Sequence, residues 1–290
     1  VNFIERHHTA PWFCYLPFNA VHAPLESTEK YLGRFASVED KKRRSFCAML
    51  SAMDDAVGSV LAKLREHSLE ENTLIFFMSD NGGNAEGGPP GTTNGTGPIG
   101  GPDSYVLIGM NWATLNNTPF RRYKHFTHEG GISSPLIAHW PAGIPAERNG
   151  KLEHQPAHLI DIMATACDVT GAVYPAEFKG HKILPAEGLS LLPVIHGQPL
   201  HRVKPIFWMH EGNRAVRTGP WKLVKKFKGP WELYNIDEDR TEQHDLATAQ
   251  PDKVKELAAE WQKWAERAHV LPYPDEGKAK KKGKGKKKAE

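Results

Sequence analysis

Residues 73–79 form the run TLIFFMS, and this run restricts the possible folds more than any other segment of the chain. A continuous apolar run of this length is typical of a β-strand covered on both faces. The run follows a helical pattern over residues 38–67, for which Ser37 is available as an N-cap. Earlier still, the aromatic and apolar residues 12–18 predict another buried strand. The order strand, helix, strand predicts an α/β layered fold with a largely parallel sheet.

The rest of the chain divides into segments of different character. Residues 82–102 are dominated by Gly, Pro, Asn and Thr, which predicts an irregular surface loop beside the end of the preceding strand. Residues 135–140 (PLIAHW) predict a buried strand, and residues 158–170 predict a helix that ends at Gly171. Beyond about residue 200, short strand-like runs separated by turns predict an antiparallel meander. An apolar face between residues 252 and 268 predicts one closing helix.

These changes of character predict three parts. Residues 1–200 form the larger part, residues 201–272 a small antiparallel subdomain, and residues 273–290 a disordered Lys-rich tail. The net charge is +3, but residues 277–290 hold eight Lys against one Glu, so the rest of the chain is acidic. The pI near 8.6 therefore belongs to the tail. It predicts only nonspecific, salt-sensitive attraction to polyanions and no specific nucleic-acid partner.

Three further features bear on compartment and membrane. The longest uninterrupted apolar run covers only residues 74–78, so the sequence predicts no membrane span. Cys14, Cys47 and Cys167 are odd in number and lack CxxC spacing, and we interpret them as small buried apolar residues. The chain starts at Val1 without a leader pattern, which fits either a removed leader or a start within a longer protein.

Asp80 and Asn81 directly follow the apolar run and are candidate metal ligands. Their side chains supply the hard oxygen atoms that Ca²⁺ or Mg²⁺ prefers, and ligands of α/β folds gather beyond the carboxyl ends of strands. The alternative is an ordinary turn, because Asp, Asn and Gly are common turn residues.

Two loop segments carry candidate substrate contacts. His22, in NAVHAP, can protonate a leaving oxygen or donate to an anion, although a lone loop histidine more often has an ordinary backbone partner. Lys124 and His128 lie beside a diglycine and offer positive charge to a tetrahedral oxyanion. The alternative for this second segment is a solvated basic loop that includes Arg121 and Arg122.

Taken together and in order, these segments resemble the sulfatase family. The resemblance rests on AVHAPL, FFMSDNGG, NTPFRRYKHFTHEGGISSPLIAHWPAG, RTGPWKLV and ELYNIDEDRTEQHDL. It implies a partial alkaline-phosphatase-like α/β/α sandwich followed by a small antiparallel α+β subdomain. It also implies calcium-assisted cleavage of sulfate esters in the complete protein.

The resemblance implies roles for five residues. Asp80 and Asn81 would form part of a calcium site, with Mg²⁺ the less favoured ion. His22 would contact the sulfate ester and protonate the leaving oxygen, Lys124 would contact the sulfate, and His128 would be linked to substrate.

Two family features are missing from this sequence. The family's nucleophile is a formylglycine made from Cys or Ser in a Cys/Ser-x-Pro/Ala-x-Arg motif, and no such motif is present. The upstream acidic pair that completes the calcium site is missing too. We therefore expect a C-terminal portion of a sulfatase that is inactive alone.

Two alternative functions stay open from the sequence. One is a phosphatase or phosphodiesterase of the same superfold, and the other is a non-catalytic polyanion-binding protein that acts through the tail. The expected substrate is a sulfated small molecule or a sulfated polysaccharide. The resemblance implies a periplasmic or extracellular location, and the sequence does not predict an oligomeric state.

Overall fold

A computed structural model describes residues 1–273. The predicted Lys-rich tail thus lies, apart from Tyr273, outside the described residues. The chain forms two compact units. The first unit comprises Val1–Lys124 and Gly130–Arg202, and the second comprises His125–Glu129 and the described residues from Val203 onward.

The first part of the chain contains short strands between helices of varied length. The helices are α1 (Asn2–His7), α2 (Glu29–Arg34), α3 (Lys41–Glu66), α4 (Gly109–Asn116), α5 (Glu129–Ile132), α6 (Asp161–Thr170) and α7 (Leu192–Ile195). The strands are β1 (Ile75–Met78), β2 (Thr92–Gly95), β3 (Ser104–Leu107), β4 (Leu136–His139), β5 (Glu177–Phe178) and β6 (His181–Lys182).

Helix α3 confirms the predicted helix but starts later than the sequence pattern suggested. Asp40 is the N-cap in place of Ser37, and its Oδ1 accepts a hydrogen bond from Arg43 N at 2.7 Å. This cap satisfies one of the backbone N–H groups that a helix start leaves without a partner. The helix buries Ala48 and Leu64.

Length and composition also make α3 the one helix among residues 1–273 that could cross a membrane. This is weak evidence, because the core helix of a globular protein meets the same criterion. Asp55 lies within the helix and accepts hydrogen bonds from Arg34 and Tyr31 of α2. Charged side chains within a bilayer are costly, so this pairing favours a helix packed within a globular unit.

Strand β1 was predicted within a largely parallel sheet, and that prediction is wrong for the described residues. Its one neighbour there is β4, and the two strands pair antiparallel with Ile75 opposite His139. The predicted strand over residues 12–18 has no regular structure, and Phe13 and Tyr15 are largely exposed. A strand needs a hydrogen-bonding neighbour to form, and residues 12–18 lack one within this structure.

Two smaller predictions also need correction. Residues 82–102 are not wholly irregular, because β2 lies among them and pairs antiparallel with β3. Cys14 is exposed rather than buried. The predicted end of α6 is confirmed, since Gly171 adopts the left-handed conformation with φ of 69°.

The second unit contains the predicted meander and its closing helix. Strands β7 (Ile206–His210), β8 (Asn213–Thr218), β9 (Trp221–Lys225) and β10 (Trp231–Asn235) form an antiparallel sheet in the order β10-β9-β8-β7. Helix α8 (Pro251–Arg267) places Leu257 and Trp261 in a core with Leu223 and Leu233 of the sheet. Trp261 Nε1 donates to Trp208 O at 3.0 Å, so the buried indole N–H has a partner.

Candidate functional site

The loop after β1 carries Asp80 and Asn81, as the sequence predicted. Asp80 is exposed and Asn81 is partly buried. Ser79 Oγ donates to Asn81 O at 2.9 Å, which closes a local turn. The turn geometry and a ligand role are compatible, because the hydrogen bond uses the backbone of Asn81 and not its side-chain amide.

Two diglycines hold this loop against a distant segment of the first unit. Gly82 N donates to Gly131 O at 3.0 Å, and a Cβ at position 82 would lie 1.8 Å from Gly130 O. Only glycine permits so close a backbone approach. Gly83 continues the contact, because its carbonyl accepts from Lys124 N at 3.2 Å. The metal-ligand candidates and Lys124 therefore share one backbone framework.

His22 and Lys124 meet in the first unit although they are 102 residues apart in the chain. Lys124 Nζ lies 2.8 Å from His22 Nε2. The structure thus brings together the two residues that the sequence assigned to one sulfate-binding site. Their catalytic roles stay predictions.

The hydrogen bonds around His22 define which ring nitrogen carries the proton. His22 Nδ1 lies 2.7 Å from Ala23 O, and a carbonyl oxygen can only accept, so Nδ1 carries the hydrogen. Lys124 Nζ can only donate, so the neutral imidazole accepts at Nε2. A doubly protonated ring would place two cations in direct contact. The geometry therefore directs Nε2 of His22 at the ammonium of Lys124.

Glu86 and Asn84 complete this cluster, and the sequence reasoning missed both. Glu86 Oε1 accepts from Lys124 Nζ at 3.0 Å, and Asn84 Nδ2 lies 3.4 Å from His22 Nε2. Asn84 Oδ1 also accepts from Glu86 N at 3.1 Å. Both residues lie in the Gly-rich segment that was interpreted as a surface loop. The sequence indicated them only by placing two polar side chains in that segment, shortly after Asp80 and Asn81.

His128 lies in the second unit and is completely buried. Its Nε2 is 3.4 Å from Glu232 Oε2, and Tyr234 OH donates to the same oxygen at 2.6 Å. A side chain without exposed surface cannot touch a substrate in this conformation. The link between His128 and substrate stays a prediction, and the observed burial argues against it.

The donor chemistry of Asp80 and Asn81 fits a hard divalent cation. A carboxylate and an amide oxygen suit Ca²⁺ or Mg²⁺ better than Zn²⁺, which favours nitrogen and sulfur ligands. Calcium takes about six to eight oxygen ligands, so these two residues would supply only part of its shell.

Comparison with known proteins shows the family and the fold of this chain. The sulfatase family model matches residues 1–172, which contain His22, Asp80, Asn81 and Lys124. The chain belongs to the sulfatase family. Its α/β fold, with the small subdomain after it, is the alkaline-phosphatase-like fold that the resemblance implied.

Individual relatives agree with this assignment. The N-acetylgalactosamine-6-sulfatase of Sus scrofa is 31% identical over 77% of this chain and 36% of its own length. An uncharacterized sulfatase of Schizosaccharomyces pombe is 26% identical over 94% of this chain and 61% of its own length. The crystal structure of Ps i-CgsB superposes with a TM-score of 0.72 at 28% identity, covering 91% of this chain and 52% of that one. The chain therefore spans about a third to three fifths of the length of these relatives.

Proposed function

We propose that this chain provides part of the active site of a calcium-assisted sulfatase that hydrolyses sulfate esters. The observation that carries the proposal is the contact between His22 Nε2 and Lys124 Nζ, on the same framework as the loop of Asp80 and Asn81. A lysine, a histidine and hard oxygen ligands are the groups that an anionic ester and a divalent cation require.

Each residue has a distinct proposed task. Lys124 places positive charge on the sulfate oxygens, where negative charge develops during cleavage. His22 delivers a proton from Nε2 to the leaving oxygen. In the observed state Nε2 accepts from Lys124 and holds no proton of its own. Substrate must therefore draw the ammonium away first, and Nε2 must take up a proton from solvent, which it then passes to the leaving oxygen. Glu86 holds Lys124 in place until then.

Two groups would complete the chemistry. Calcium, held in part by Asp80 and Asn81, would neutralise the sulfate oxygens when bound. The nucleophile would be a formylglycine, which we place in a part of the protein outside these 290 residues because the sequence lacks the required motif.

The surface of the first unit supports this view of a partial catalytic domain. Phe13, Tyr15 and Ile137 are 69%, 80% and 60% exposed. Side chains of this size and polarity are usually buried, so we infer that a further segment covers them. We propose that the nucleophile-bearing part covers it and that the 290-residue chain alone is inactive.

The proposed substrate is a sulfated saccharide. Ps i-CgsB was crystallised in complex with a neocarrahexaose, and the relatives include N-acetylgalactosamine-6-sulfatases. We also propose a periplasmic or extracellular location, which the resemblance to the sulfatase family implied. The same assay with aryl phosphate tests the alternative that the protein is a phosphatase of the same superfold.

The decisive experiment uses the protein expressed together with its upstream coding sequence. We expect turnover of an aryl sulfate with calcium, and a loss of roughly two to four orders of magnitude in Lys124→Ala and in His22→Ala. Lys151→Ala and His154→Ala are the matched controls, because both residues are exposed in the first unit and lie outside the cluster. Full activity in either site variant, or faster turnover of aryl phosphate, would refute the proposal.

A further inference from the structure

Three potential metal ligands outside the proposed sulfate-binding cluster meet at the tip of the β7–β8 hairpin. His210 and Glu211 lie at the tip, and His125 comes from the His125–Glu129 segment of the same unit. One ligand atom from each residue lies within 4.8 Å of the other two. The side chains of His210 and Glu211 are more than half exposed, whereas His125 Nδ1 is buried, so an ion would enter from the side of the hairpin tip.

Two of the three ligand separations suit a small tetrahedral ion. Glu211 Oε1 lies 3.1 Å from His125 Nδ1 and 3.8 Å from His210 Nε2. In a tetrahedral Zn²⁺ site with bonds of about 2.0–2.1 Å, ligand atoms are separated by about 3.4 Å. The two distances to Glu211 bracket this separation. The ring centroids of His125 and His210 are 6.0 Å apart, so the two imidazoles would turn toward the ion on binding.

The backbone holds the ligands together without an ion. Glu211 and Gly212 both have positive φ, of 49° and 79°, which is the backbone of a tight two-residue hairpin turn. Asn213 is buried beside the turn, and its Nδ2 donates to His125 O at 2.7 Å while its Oδ1 accepts from Phe227 N at 3.0 Å. One buried amide thus fastens His125 to the hairpin.

His125 itself adopts an uncommon backbone conformation. Its φ is 85°, which residues other than glycine rarely adopt. Residues held in such conformations concentrate at binding and catalytic sites, where the surrounding structure maintains them. The hydrogen bond from Asn213 is one such constraint.

A second cluster of possible ligands in the first unit is a weaker candidate. Glu5, Glu66 and His67 are also close together. However, Lys63 Nζ lies 3.0 Å from Glu5 Oε2 and 2.7 Å from Glu66 Oε2. The lysine already supplies the positive charge that an ion would bring, so an ion there would meet repulsion.

We propose that His125, His210 and Glu211 bind one Zn²⁺ ion, with solvent in the remaining coordination position. Two imidazoles and one carboxylate are a common zinc ligand set, and imidazole favours zinc, copper and nickel over calcium. The site goes beyond the proposed sulfatase chemistry and does not depend on it. The full 290-residue chain is therefore sufficient to test it.

The test titrates metal-free protein with Zn²⁺ in competition with a chromophoric chelator, and separately with Co²⁺ to record visible absorption. We expect wild-type protein to bind one ion with an affinity at least roughly tenfold above that of His210→Ala or Glu211→Gln. Tetrahedral Co²⁺ bands should appear in wild-type protein and be lost in both variants. Because His210 and Glu211 are more than half exposed, thermal melting of the metal-free variants should match wild type.

Two control variants separate this site from other histidines. His67→Ala removes the imidazole of the competing cluster, and His244→Ala removes an exposed histidine of the second unit. Both should retain the ion and the Co²⁺ bands. Equal affinity in wild type and the hairpin variants, or loss of the ion in His67→Ala, would overturn the proposal.

Discussion

Lys222 Nζ lies 2.6 Å from Glu129 Oε1 in the second unit, and both side chains are buried. Glu242 Oε1 is 2.8 Å from the same ammonium, and Glu242 Oε2 accepts from Glu129 N. Burial alone would lower the pKa of Lys222, but the charges of Glu129 and Glu242 outweigh it and raise that pKa. This ionic group attaches the His125–Glu129 segment to β9, so it also positions His125 and His128.

Replacing Lys222 by Met should destabilise the second unit strongly. The substitution leaves two carboxylates buried without their cation, and breaking a buried ion pair in this way costs about 3–5 kcal/mol. Chemical denaturation monitored by tryptophan fluorescence measures the change, because the core around Trp261 belongs to this unit. Lys226→Met, at an exposed position of the same unit, should change the free energy of unfolding little.

The raised pKa also predicts how this stabilisation depends on pH. The stabilisation by charged Lys222 is fully present below the pKa of lysine in the unfolded chain, about 10.4. It is lost as the pH rises through the higher pKa of Lys222 in the folded protein. The difference in stability between wild type and Lys222→Met should therefore be constant from neutral pH to about pH 9. A difference that falls across that range would contradict the assignment.

Gly82→Ala should disrupt the loop that carries Asp80 and Asn81. The new Cβ would lie 1.8 Å from Gly130 O, a distance that forces the two backbone segments apart. In the complete protein we expect activity and calcium affinity to fall together. Gly58→Ala is the matched control, because a Cβ there meets nothing within 4 Å and alanine stabilises a helix interior by up to about 1 kcal/mol.

Glu86 is a positioning residue for Lys124. Two substitutions of Glu86 distinguish the contribution of its hydrogen bond to Lys124 from the contribution of its negative charge. Glu86→Ala removes the acceptor that lies 3.0 Å from Lys124 Nζ, so we expect kcat in the complete protein to fall roughly tenfold to a hundredfold. Glu86→Gln retains an acceptor oxygen and should recover most of that loss. Equal activity of the Ala variant and wild type would show that Lys124 needs no such partner.

The ion pair between Glu5 of α1 and Lys63 of α3 should stabilise the protein less in acid. Hydrogen bonds from Lys63 and then His67 lower the pKa of Glu5 to about 2. A lowered folded-state pKa means that the stabilisation is present above the ordinary glutamate pKa of about 4.3 and is lost as pH falls toward 2. The melting-temperature difference between wild type and Glu5→Gln should thus be constant from pH 7 to 5 and shrink between pH 4 and 2. Glu29→Gln, at an exposed position of α2, should show no such trend.

Several elements followed from the sequence because they depend on local patterns. The apolar run of β1, the periodicity of α3 and the glycine that ends α6 each involve residues close together in the chain. The antiparallel meander of β7–β10 was predicted for the same reason, since tight turns join successive strands. The family resemblance rested on ordered local segments too, and the family assignment confirmed it.

Contacts between distant segments were decided only by the tertiary structure. Residues 12–18 have strand character, but no strand among residues 1–273 pairs with them. Strand β1 pairs with β4 and not with a parallel partner. Periodicity could not reveal that His128 is buried beside Glu232 while His22 reaches Lys124. Sequence patterns determine which faces are apolar and where chain turns occur. Which side chains then meet across a hundred residues depends on packing, since the free energy of each contact exists only once the surrounding elements are in place.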